Sequence, residues 1–466
     1  MKTQVNHGNI DLSFGDEGYV ITDSDKAAGA VCSLATGAIR NFYLDHRLTV
    51  SGFYIQGRLA NGQVDSQFGE AGTRFLKIVR PVEENVRYVK PLYAMRTAAD
   101  DCLVIGVLIA GMTARAFVSK VHANGEPDLA YGQAGTATFT LVEASSGKLQ
   151  VDTSKAVSKL YAAATERVGT RPRLGSVSNF REVATGQVAQ DGSLVFSIRD
   201  GFFSSYGDFI VKVNARGELE ETFQGGYVQV GESGRLARIG SVIFDEQQRI
   251  VACGEIANYS FVVRLTAQGA ADTSFGAQGS GFCIFAGEQP DHRIRLHSLL
   301  SSNTGRLLVG GHMDTYPAFF GSLLIGLEED GHLDPGFAEG GLLGVRRGDG
   351  FYFLCSGLQG SVLATCRDLG WDGTTIGYVT ELWCITAQGN IDPAFGNGSS
   401  HGFAGSQRTA LNHIQEVHAQ ADGKVLLYAF HGGFTEEPLS TRFCRVLPDT
   451  PGHVRAASSR VTLYSR

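Results

Sequence analysis

The sequence has no long apolar run, no excess of basic residues and no closely paired cysteines, and each absence excludes a class of protein. The longest apolar stretch, residues 102–112, is too short to cross a bilayer, which takes about 20 residues. Residues 1–11 contain one Lys and no apolar core, so they do not resemble a secretory signal. A net charge of −7 provides no positive field for nucleic acid or an anionic membrane. We therefore expect no membrane span and no nucleic-acid partner.

The 8 Cys residues occur singly and never form the C-x-x-C pair of many metal and redox sites. Most of them lie in apolar runs typical of strands, such as Val251-Ala252-Cys253. We predict buried thiols that behave as small hydrophobic side chains, with a disulfide framework or a metal site as the alternative. The expected location is the cytoplasm, or outside the cell by a route that needs no cleavable N-terminal signal.

Glycine, in contrast, is abundant: 60 of the 466 residues are Gly, well above the roughly 7 % of an average protein. Many of them belong to a repeated motif, G-x-x-D-x-x-F-G-x-x-G. Gly supplies a positive φ and Asp accepts backbone N–H bonds two residues on, so the motif predicts a turn, and its Phe predicts an apolar anchor. Seven copies of one turn indicate a structural role rather than catalysis. The acidic position falls at Asp11, Asp65, Asp128, Glu220, Asp272, Asp334 and Asp392.

Strand-like runs surround the motifs, three before a typical copy and one after it. Seven such units with little helix predict an all-β fold, a seven-bladed β-propeller of four-stranded antiparallel blades forming a single domain over 1–466. The chain opens at a motif and closes with three strand-like runs. The strand near Tyr19 is therefore expected to join the last blade and close the ring, which leaves no open sheet edge. A run at 461–464 is the alternative fourth strand.

One repeat step is longer than the others by about 30 residues, which places an insertion at about 142–178. Residues 152–169 begin with an Asp that can cap a helix, continue with an apolar stripe and end on Gly. This pattern predicts a helical insertion about 152–169. The stripe has to pack on a blade, or else cover a site or meet a partner.

The seven motifs, together with turns such as Gln190-Asp191-Gly192-Ser193, resemble the delta-60 repeat family of bacterial β-propeller repeats. The resemblance covers nearly the whole chain. The sequence departs from the family pattern at Tyr131, Glu220, Gln224 and Ala338. The resemblance implies the propeller fold and no single activity.

Loops between the second and third strand of each blade share one end of a propeller with the connections between blades. We call this end the 2–3 loop face, and its loops vary most in this sequence, as functional loops on a rigid frame do. Arg recurs in the connections that lead to the innermost strands, where such side chains could ring the channel mouth and bind carboxylate or phosphate. The candidates are Arg235, Arg238, Arg293, Arg295, Arg346, Arg347 and Arg408, with His413 beside them. The alternative is ion pairing with the nearby acids Glu83, Glu84, Glu288, Asp291 and Asp349.

The same loops carry aromatic residues, among them Tyr259, Tyr316 and Trp371. Such rings suit a sugar or a protein partner, unless they only pack the loops. Residues 398–402 match G-x-S-x-G without the strand-to-helix context of a nucleophile elbow, and no His spacing repeats a known ligand pattern. We assign no catalytic residue, no metal and no cofactor.

The sequence therefore favours a non-catalytic binding or interaction module that uses the 2–3 loop face and the channel mouth. Its partner is an unknown protein, or a carbohydrate or anionic ligand. One alternative is an enzyme with a channel-mouth site for an anionic or carbohydrate substrate, using Arg with His297, His413 or Glu416. The other is a lectin-like or toxin-like effector that recognises host surfaces.

Overall fold

The computed structural model describes most of the seven repeat units. The described residues are 10–22, 28–44, 52–78, 86–110, 113–141, 148–151, 171–172, 183–199, 208–232, 235–286, 292–302, 305–315, 318–345, 350–371, 376–395, 403–404, 413–420, 422–431 and 440–447. Within them the chain forms strands, turns and two single-turn 3-10 helices, Ala277–Gly279 and Leu358–Gly360. No helix among these residues has the length and apolar character to span a membrane. The helix expected at 152–169 and the run at 461–464 lie outside the described residues.

Seven antiparallel four-stranded units follow one another along the chain, as the repeats predict. The strand β1 (Tyr19–Ile21) precedes blade 1, which consists of β2 (Ala28–Ser33), β3 (Ile39–Tyr43), β4 (Gly52–Arg58) and β5 (Thr73–Lys77). Blade 2 consists of β6 (Val86–Arg96), β7 (Cys102–Ala110), β8 (Thr113–Val121) and β9 (Thr136–Phe139). After β10 (Lys148–Gln150) and β11 (Arg171–Pro172), blade 3 consists of β12 (Val183–Val188), β13 (Leu194–Arg199), β14 (Phe209–Val213) and β15 (Tyr227–Glu232), followed by β16 (Arg235–Leu236).

The second half of the ring repeats this arrangement. Blade 4 consists of β17 (Arg238–Phe244), β18 (Ile250–Ile256), β19 (Tyr259–Leu265) and β20 (Phe282–Ala286). Blade 5 consists of β21 (His292–Ser301), β22 (Leu307–Thr315), β23 (Ala318–Leu327) and β24 (Leu342–Val345). Blade 6 consists of β25 (Phe353–Ser356), β26 (Val362–Trp371), β27 (Ile376–Ile385) and β28 (Phe403–Ala404). Blade 7 consists of β29 (His413–Ala419), β30 (Val425–His431), β31 (Ser440–Val446) and, as its fourth strand, β1.

The ring closes as predicted, because β1 pairs antiparallel with β31 and places Tyr19 opposite Cys444. The first strands of consecutive blades touch one another from β2 to β29, so they are the innermost strands and surround the channel. Each of seven hydrophobic clusters combines residues from two neighbouring blades. One of them joins Phe14 and Tyr428 of blade 7 to Val31 of blade 1. The core is therefore a continuous circle of blade-to-blade interfaces.

The described residues of the insertion at 142–178 are docked on two different blades. β10 adds to blade 3 by running parallel to β15, with Leu149 opposite Val230. β11 pairs with the start of β23 in blade 5, with Arg171 opposite Phe319. In the described residues, then, both pieces extend existing sheets. The packing of the apolar stripe of 152–169 stays a prediction, because the stripe lies outside these residues.

The motif turns have the geometry that their sequence predicts. In six of the seven copies the Asp Oδ1 accepts the N–H of the residue two positions on, at 2.7–3.1 Å. Glu220 accepts instead from the hydroxyl of Thr222. Gln224 and Ala338 replace Gly but keep its positive φ, at 48° and 47°. These departures change residues without removing the turn.

A buried Arg ties the motif of blade 4 to the next blade. Arg264 donates to the carboxylate of Asp272 at 2.7 Å and to the hydroxyl of Ser274 at 2.6 Å. Its guanidinium lies 4.7 Å above the ring centroid of Phe275 and donates to the carbonyl oxygen of Glu329 in blade 5. The motif Asp thus orients an Arg that crosses the interface between blades. The ring of the motif Phe stabilises the guanidinium group of this Arg through a cation–π contact.

The same arrangement closes the ring. Arg445 on β31 donates to Asp11 at 2.8 Å and lies 4.7 Å from the ring centroid of Phe14. It also donates to the carbonyl oxygen of Ala60 in blade 1. Desolvation by burial acts to raise the pKa of Asp11, but hydrogen bonds from Ser13 and Lys424 and the charge of Arg445 outweigh it and lower this pKa to about 2.

All eight Cys residues lie in the described part of the chain, where they are buried thiols, as predicted. Burial raises the pKa of Cys355 to about 12 and raises that of Cys253, Cys283 and Cys444 further. These thiols are therefore protonated and poorly nucleophilic at neutral pH.

Candidate functional site at the channel mouth

Five innermost strands carry a β-bulge near the 2–3 loop face, and these bulges align with one another. The bulged residues are Gly29, Leu92, Gly240, His297 and Gln415 in blades 1, 2, 4, 5 and 7. The residue two positions before the bulge is Lys90 in blade 2, Arg238 in blade 4, Arg295 in blade 5 and His413 in blade 7. Three of the predicted site residues therefore occupy one register position around the channel, together with Lys90.

At the register position of Arg238 and Arg295, a network of ion pairs joins blades 4 and 5. Glu255 on β18 accepts from Arg295 at 2.6 Å and lies 3.9 Å from Arg238. On the other side, the Arg295 Nε lies 3.6 Å from Asp314 Oδ2 on β22. Arg295 and both carboxylates are mostly buried, whereas the side chain of Arg238 is 53 % exposed. Arg238 can therefore turn toward a ligand, whereas Arg295 is held in place by Glu255 and Asp314.

Two His residues continue the network toward blade 6. His297 Nε2 lies 2.8 Å from His312 Nδ1, and His312 Nε2 lies 4.0 Å from Asp314 Oδ2. The His297 ring stacks on Tyr352 with 4.6 Å between ring centroids and an angle of 14°. A continuous row of polar side chains thus runs from Arg238 in blade 4 to Tyr352 in blade 6.

Close backbone approach keeps these side chains in place. At Gly240 a Cβ atom would lie 2.6 Å from the carbonyl oxygen of Leu296 and 3.0 Å from His297 Cα. At Gly350, where φ is +132°, a Cβ atom would lie 3.0 Å from His312 Nδ1. Ser298, the residue after His297, donates to the carbonyl oxygen of Phe351 at 3.1 Å and ties blade 5 to blade 6.

The remaining predicted site residues are placed as follows. Arg235 is exposed on β16, opposite Glu232, and Arg293 is half-buried on β21, opposite Asp314. Tyr259 starts β19 and packs against the core between blades 3 and 4, which supports loop packing for this ring. For Trp371 and His413 the structure describes the strand but not the side chain. Outside the described residues lie Arg346, Arg347, Arg408 and Tyr316, and the acids Glu83, Glu84, Glu288, Asp291 and Asp349.

Sequence reasoning missed Glu255, His312 and Asp314. Each lies in a strand that otherwise reads as apolar, and a charge in such a run is rare unless it is paired. Aligning the second strands of blades 4 and 5 would have found two of them. Gly254 and Gly311 occupy matching positions, and the residues that follow them are Glu255 and His312. In the part of the chain that the structure describes, no three His, Cys, Asp or Glu side chains form a metal-binding group.

A second polar pair lies between blades 7 and 1. Glu416 on β29 is 3 % exposed, and its Oε2 accepts from His418 Nε2 at 2.8 Å. Its Oε1 is buried and makes no hydrogen bond within the described residues. Burial raises the pKa of Glu416 to about 7, although the hydrogen bond and charge of His418 and the backbone of Val31 act in the opposite direction.

Replacing Glu416 with Gln is expected to stabilise the fold at high pH. A carboxyl whose pKa is raised by folding contributes its full stability below its unfolded value and loses it as pH rises through about 7. The variant avoids that loss, so at pH 8 its free energy of unfolding should exceed that of the wild type by up to about 3 kcal/mol. Urea unfolding at pH 5 and pH 8 measures the difference. The exposed Glu126→Gln serves as control, and an equal effect of Glu416→Gln at both pH values would contradict the assignment.

No protein-family model matches the chain, and no curated protein has a similar sequence. The fold does resemble solved structures. The polysaccharide lyase Uly1 matches over 96 % of this chain and 94 % of its own, at 9 % identity and a TM-score of 0.47. A protein from Lactobacillus plantarum matches over 77 % and 80 %, at 12 % identity and 0.41. The apo form of prolyl oligopeptidase B from Galerina marginata matches over 92 % of this chain and 51 % of its own, at 8 % identity and 0.44. At such low identities and TM-scores, these likenesses assign no function to the chain.

Proposed function

We propose that this protein is a non-catalytic binding module of the delta-60 repeat type that takes an anionic ligand at its channel mouth. The observation that carries the proposal is the matching register of Arg238 and Arg295 on adjacent innermost strands. Planar guanidinium groups bind carboxylate and phosphate through two parallel hydrogen bonds. Two such groups side by side, on a rigid frame, form a site for an anion with several oxygens.

The ion pairs at the channel mouth are compatible with anion binding by Arg238 and Arg295. Arg238 is half exposed and lies 3.9 Å from Glu255, and exposed ion pairs of this kind contribute about 0–1 kcal/mol to stability. Glu255 lies between the two Arg residues and keeps their guanidinium groups near each other before a ligand arrives. Arg235, on β16 beside blade 3, and Arg293, on β21 of blade 5, add positive charge at the same end of the propeller.

The double variant Arg238→Ala/Arg295→Ala tests the proposal. Isothermal titration with sulfate, inorganic phosphate and citrate is expected to show binding to the wild type that weakens as salt rises, since exposed charges are screened within about 8 Å at physiological ionic strength. The double variant should bind at least about 100-fold more weakly, because it loses at least two charge-assisted hydrogen bonds that contribute about 1.5–3 kcal/mol each, and about 1.4 kcal/mol is tenfold. The matched control is Arg74→Ala, which removes an exposed ion pair with Glu126 on the rim of blades 1 and 2.

Thermal melting of the same variants separates ligand binding from bracing. We expect Arg238→Ala alone to melt within a few degrees of the wild type, because its ion pair is half exposed. Arg295→Ala leaves the buried Asp314 carboxylate without that cation and should melt lower. A large drop in the melting temperature of Arg238→Ala, with no anion stabilising the wild type, would show that these Arg residues are structural braces. The aromatic residues of the 2–3 loop face, Trp371 first, would then be the better candidates for contact with a partner.

An enzyme acting on an anionic or carbohydrate substrate is the second candidate. The observation in its favour is the His297–His312 pair, 2.8 Å apart and next to Arg295. Imidazole is the commonest general acid or base in enzymes, and here it adjoins the proposed anion site. Turnover of a bound anionic saccharide that is lost in His297→Gln would favour this candidate, whereas binding without turnover favours the module.

A further inference from the structure

The His297–His312 pair adjoins the proposed anion site. The following inference rests on the proposed function, because it requires that the channel mouth binds anions. We propose that anion binding at Arg238 and Arg295 is coupled to the uptake of one proton by the His297–His312 pair. The site then binds sulfate-like and phosphate-like oxyanions more tightly at acid pH, and it behaves as a site for an anion plus a proton.

The geometry of the pair limits it to one added proton. At 2.8 Å, one of the two facing nitrogens has to donate and the other has to accept. A neutral imidazole offers one N–H and one acceptor nitrogen, whereas an imidazolium offers two donors. Two neutral rings, or one neutral ring and one cation, satisfy the contact. Two cations would point N–H groups at each other, so the second proton is disfavoured until the pair opens.

The added charge acts on the anion site through Asp314. Asp314 Oδ2 lies 4.0 Å from His312 Nε2 and 3.6 Å from Arg295 Nε, so a protonated His312 and Arg295 would share one carboxylate. A protonated His312 attracts Asp314 and weakens the hold of that carboxylate on Arg295. Arg295 keeps Glu255 on its other side. The net result is one more positive charge at the mouth and an Arg with more freedom to bind an anion.

Within the described residues, charged and aromatic side chains from blades 4, 5 and 6 lie around the His pair. Arg293 and Arg295 come from its own strand β21, Asp314 from β22, and Tyr352 from the start of blade 6. Arg238 and Glu255 come from blade 4 and reach the pair through Arg295. Arg293 and Arg295 disfavour an added proton on the pair, whereas the Asp314 carboxylate favours it. An anion bound among the cations adds negative charge and shifts this balance toward the protonated pair, which is the basis of the coupling.

Among the five blades with a bulge, only blade 5 has a titratable side chain at the bulged position, and this explains why the His pair occurs there. A bulge re-aims one side chain relative to the regular strand. At this position the other four blades have Gly29, Leu92, Gly240 and Gln415, none of which titrates. In blade 5 the bulged residue is His297, which the bulge directs onto His312 and Tyr352.

Calorimetry with sulfate tests the coupling, because the charge of sulfate does not change between pH 5.5 and 8. Titrations at pH 6.5 in buffers of different ionisation enthalpy count the protons taken up on binding. We expect the wild type to take up between half and one proton per sulfate, and its affinity to rise about tenfold from pH 8 to pH 5.5, a typical size for coupled sites. His297→Gln and His312→Asn, which retain the hydrogen-bonding nitrogens as amides, should bind sulfate with little proton uptake.

The control is His332→Asn, which removes an exposed His from the opposite end of blade 5 and should leave proton uptake unchanged. Sulfate binding that depends on Arg238 and Arg295 but takes up no proton would overturn the coupling and leave the proposed function intact. Uptake that persists in both pair variants would also overturn it, since the proton would then bind elsewhere. No sulfate binding by the wild type at any pH would overturn both.

Discussion

Replacing Phe275 with Ala is expected to lower the free energy of unfolding by about 3–5 kcal/mol, the usual range for truncating a buried Phe. The Phe275 side chain is fully buried in the core between blades 4 and 5. It supports Arg264 from below, and Gly331 of the next unit packs against its ring, where a Cβ atom would lie 2.9 Å away. Gly331 also has a φ of +88°. The truncation therefore empties a site that three parts of the interface share.

Urea denaturation followed by circular dichroism measures this loss. The matched control is Leu129→Ala, in the motif turn of blade 2, where the side chain is 71 % exposed and its removal should change stability by less than about 0.5 kcal/mol. The conservative variant Phe275→Leu should recover much of the loss. An unchanged midpoint for Phe275→Ala would show that the motif Phe is not a core anchor.

Deleting residues 1–22 is expected to open the ring and abolish cooperative folding. The deletion removes β1 from β31 and takes Phe14 out of the core between blades 7 and 1. It also leaves Arg445 buried without Asp11, and breaking a buried ion pair in this way costs about 3–5 kcal/mol. Added to the loss of a buried Phe, the total is comparable to the 5–15 kcal/mol that stabilises a typical protein.

Light scattering after size exclusion, and a thermal melt of the β-sheet signal, would follow the deletion. We expect association through the exposed edge of β31 and a broad melt. A synthetic peptide of residues 10–22, added to the truncated chain, should restore part of the melt by supplying the missing strand. Leu12→Ser in the full chain is the control, since Leu12 is 72 % exposed in the same turn. A monomeric truncated chain with a native melt would mean that the ring does not depend on β1.

The fold could be predicted because its determinants are local and repeated. The Asp–Phe turn needs only residues a few positions apart, as the Asp272 bond to the N–H of Ser274 shows. Seven copies of one local signal specify seven blades. Ring closure followed from the position of the first motif relative to the last strands. The roles of Arg264 and Arg445 did not follow, because each reaches a carbonyl oxygen in the next blade, far away in sequence.

For the candidate site, the sequence predicted only the end of the propeller on which it lies and some of its Arg residues. Arg238 and Arg295 were found because they recur in the connections to the innermost strands. Their partners Glu255 and Asp314 depend on the register between strands, and one extra residue in a strand reverses which face its neighbours point to. The bulge at His297 is such a residue. No periodicity in the sequence shows where the strand accommodates it, so the His pair became visible only in the structure.

The contact between Asp11 and Arg445 joins residues 434 positions apart, and this separation imposes an order on synthesis. At about 5–20 residues per second, the ribosome makes the first of these residues roughly 20–90 seconds before the second. Blades 1 to 6 therefore emerge while blade 7 is still missing three of its four strands. Until β31 is translated, Phe14 can contact only the blade 1 half of its core, and the N-terminal strand has to avoid other sheet edges in the meantime. Slow translation near the end of the message would lengthen the period in which this protein can pair with the wrong chain.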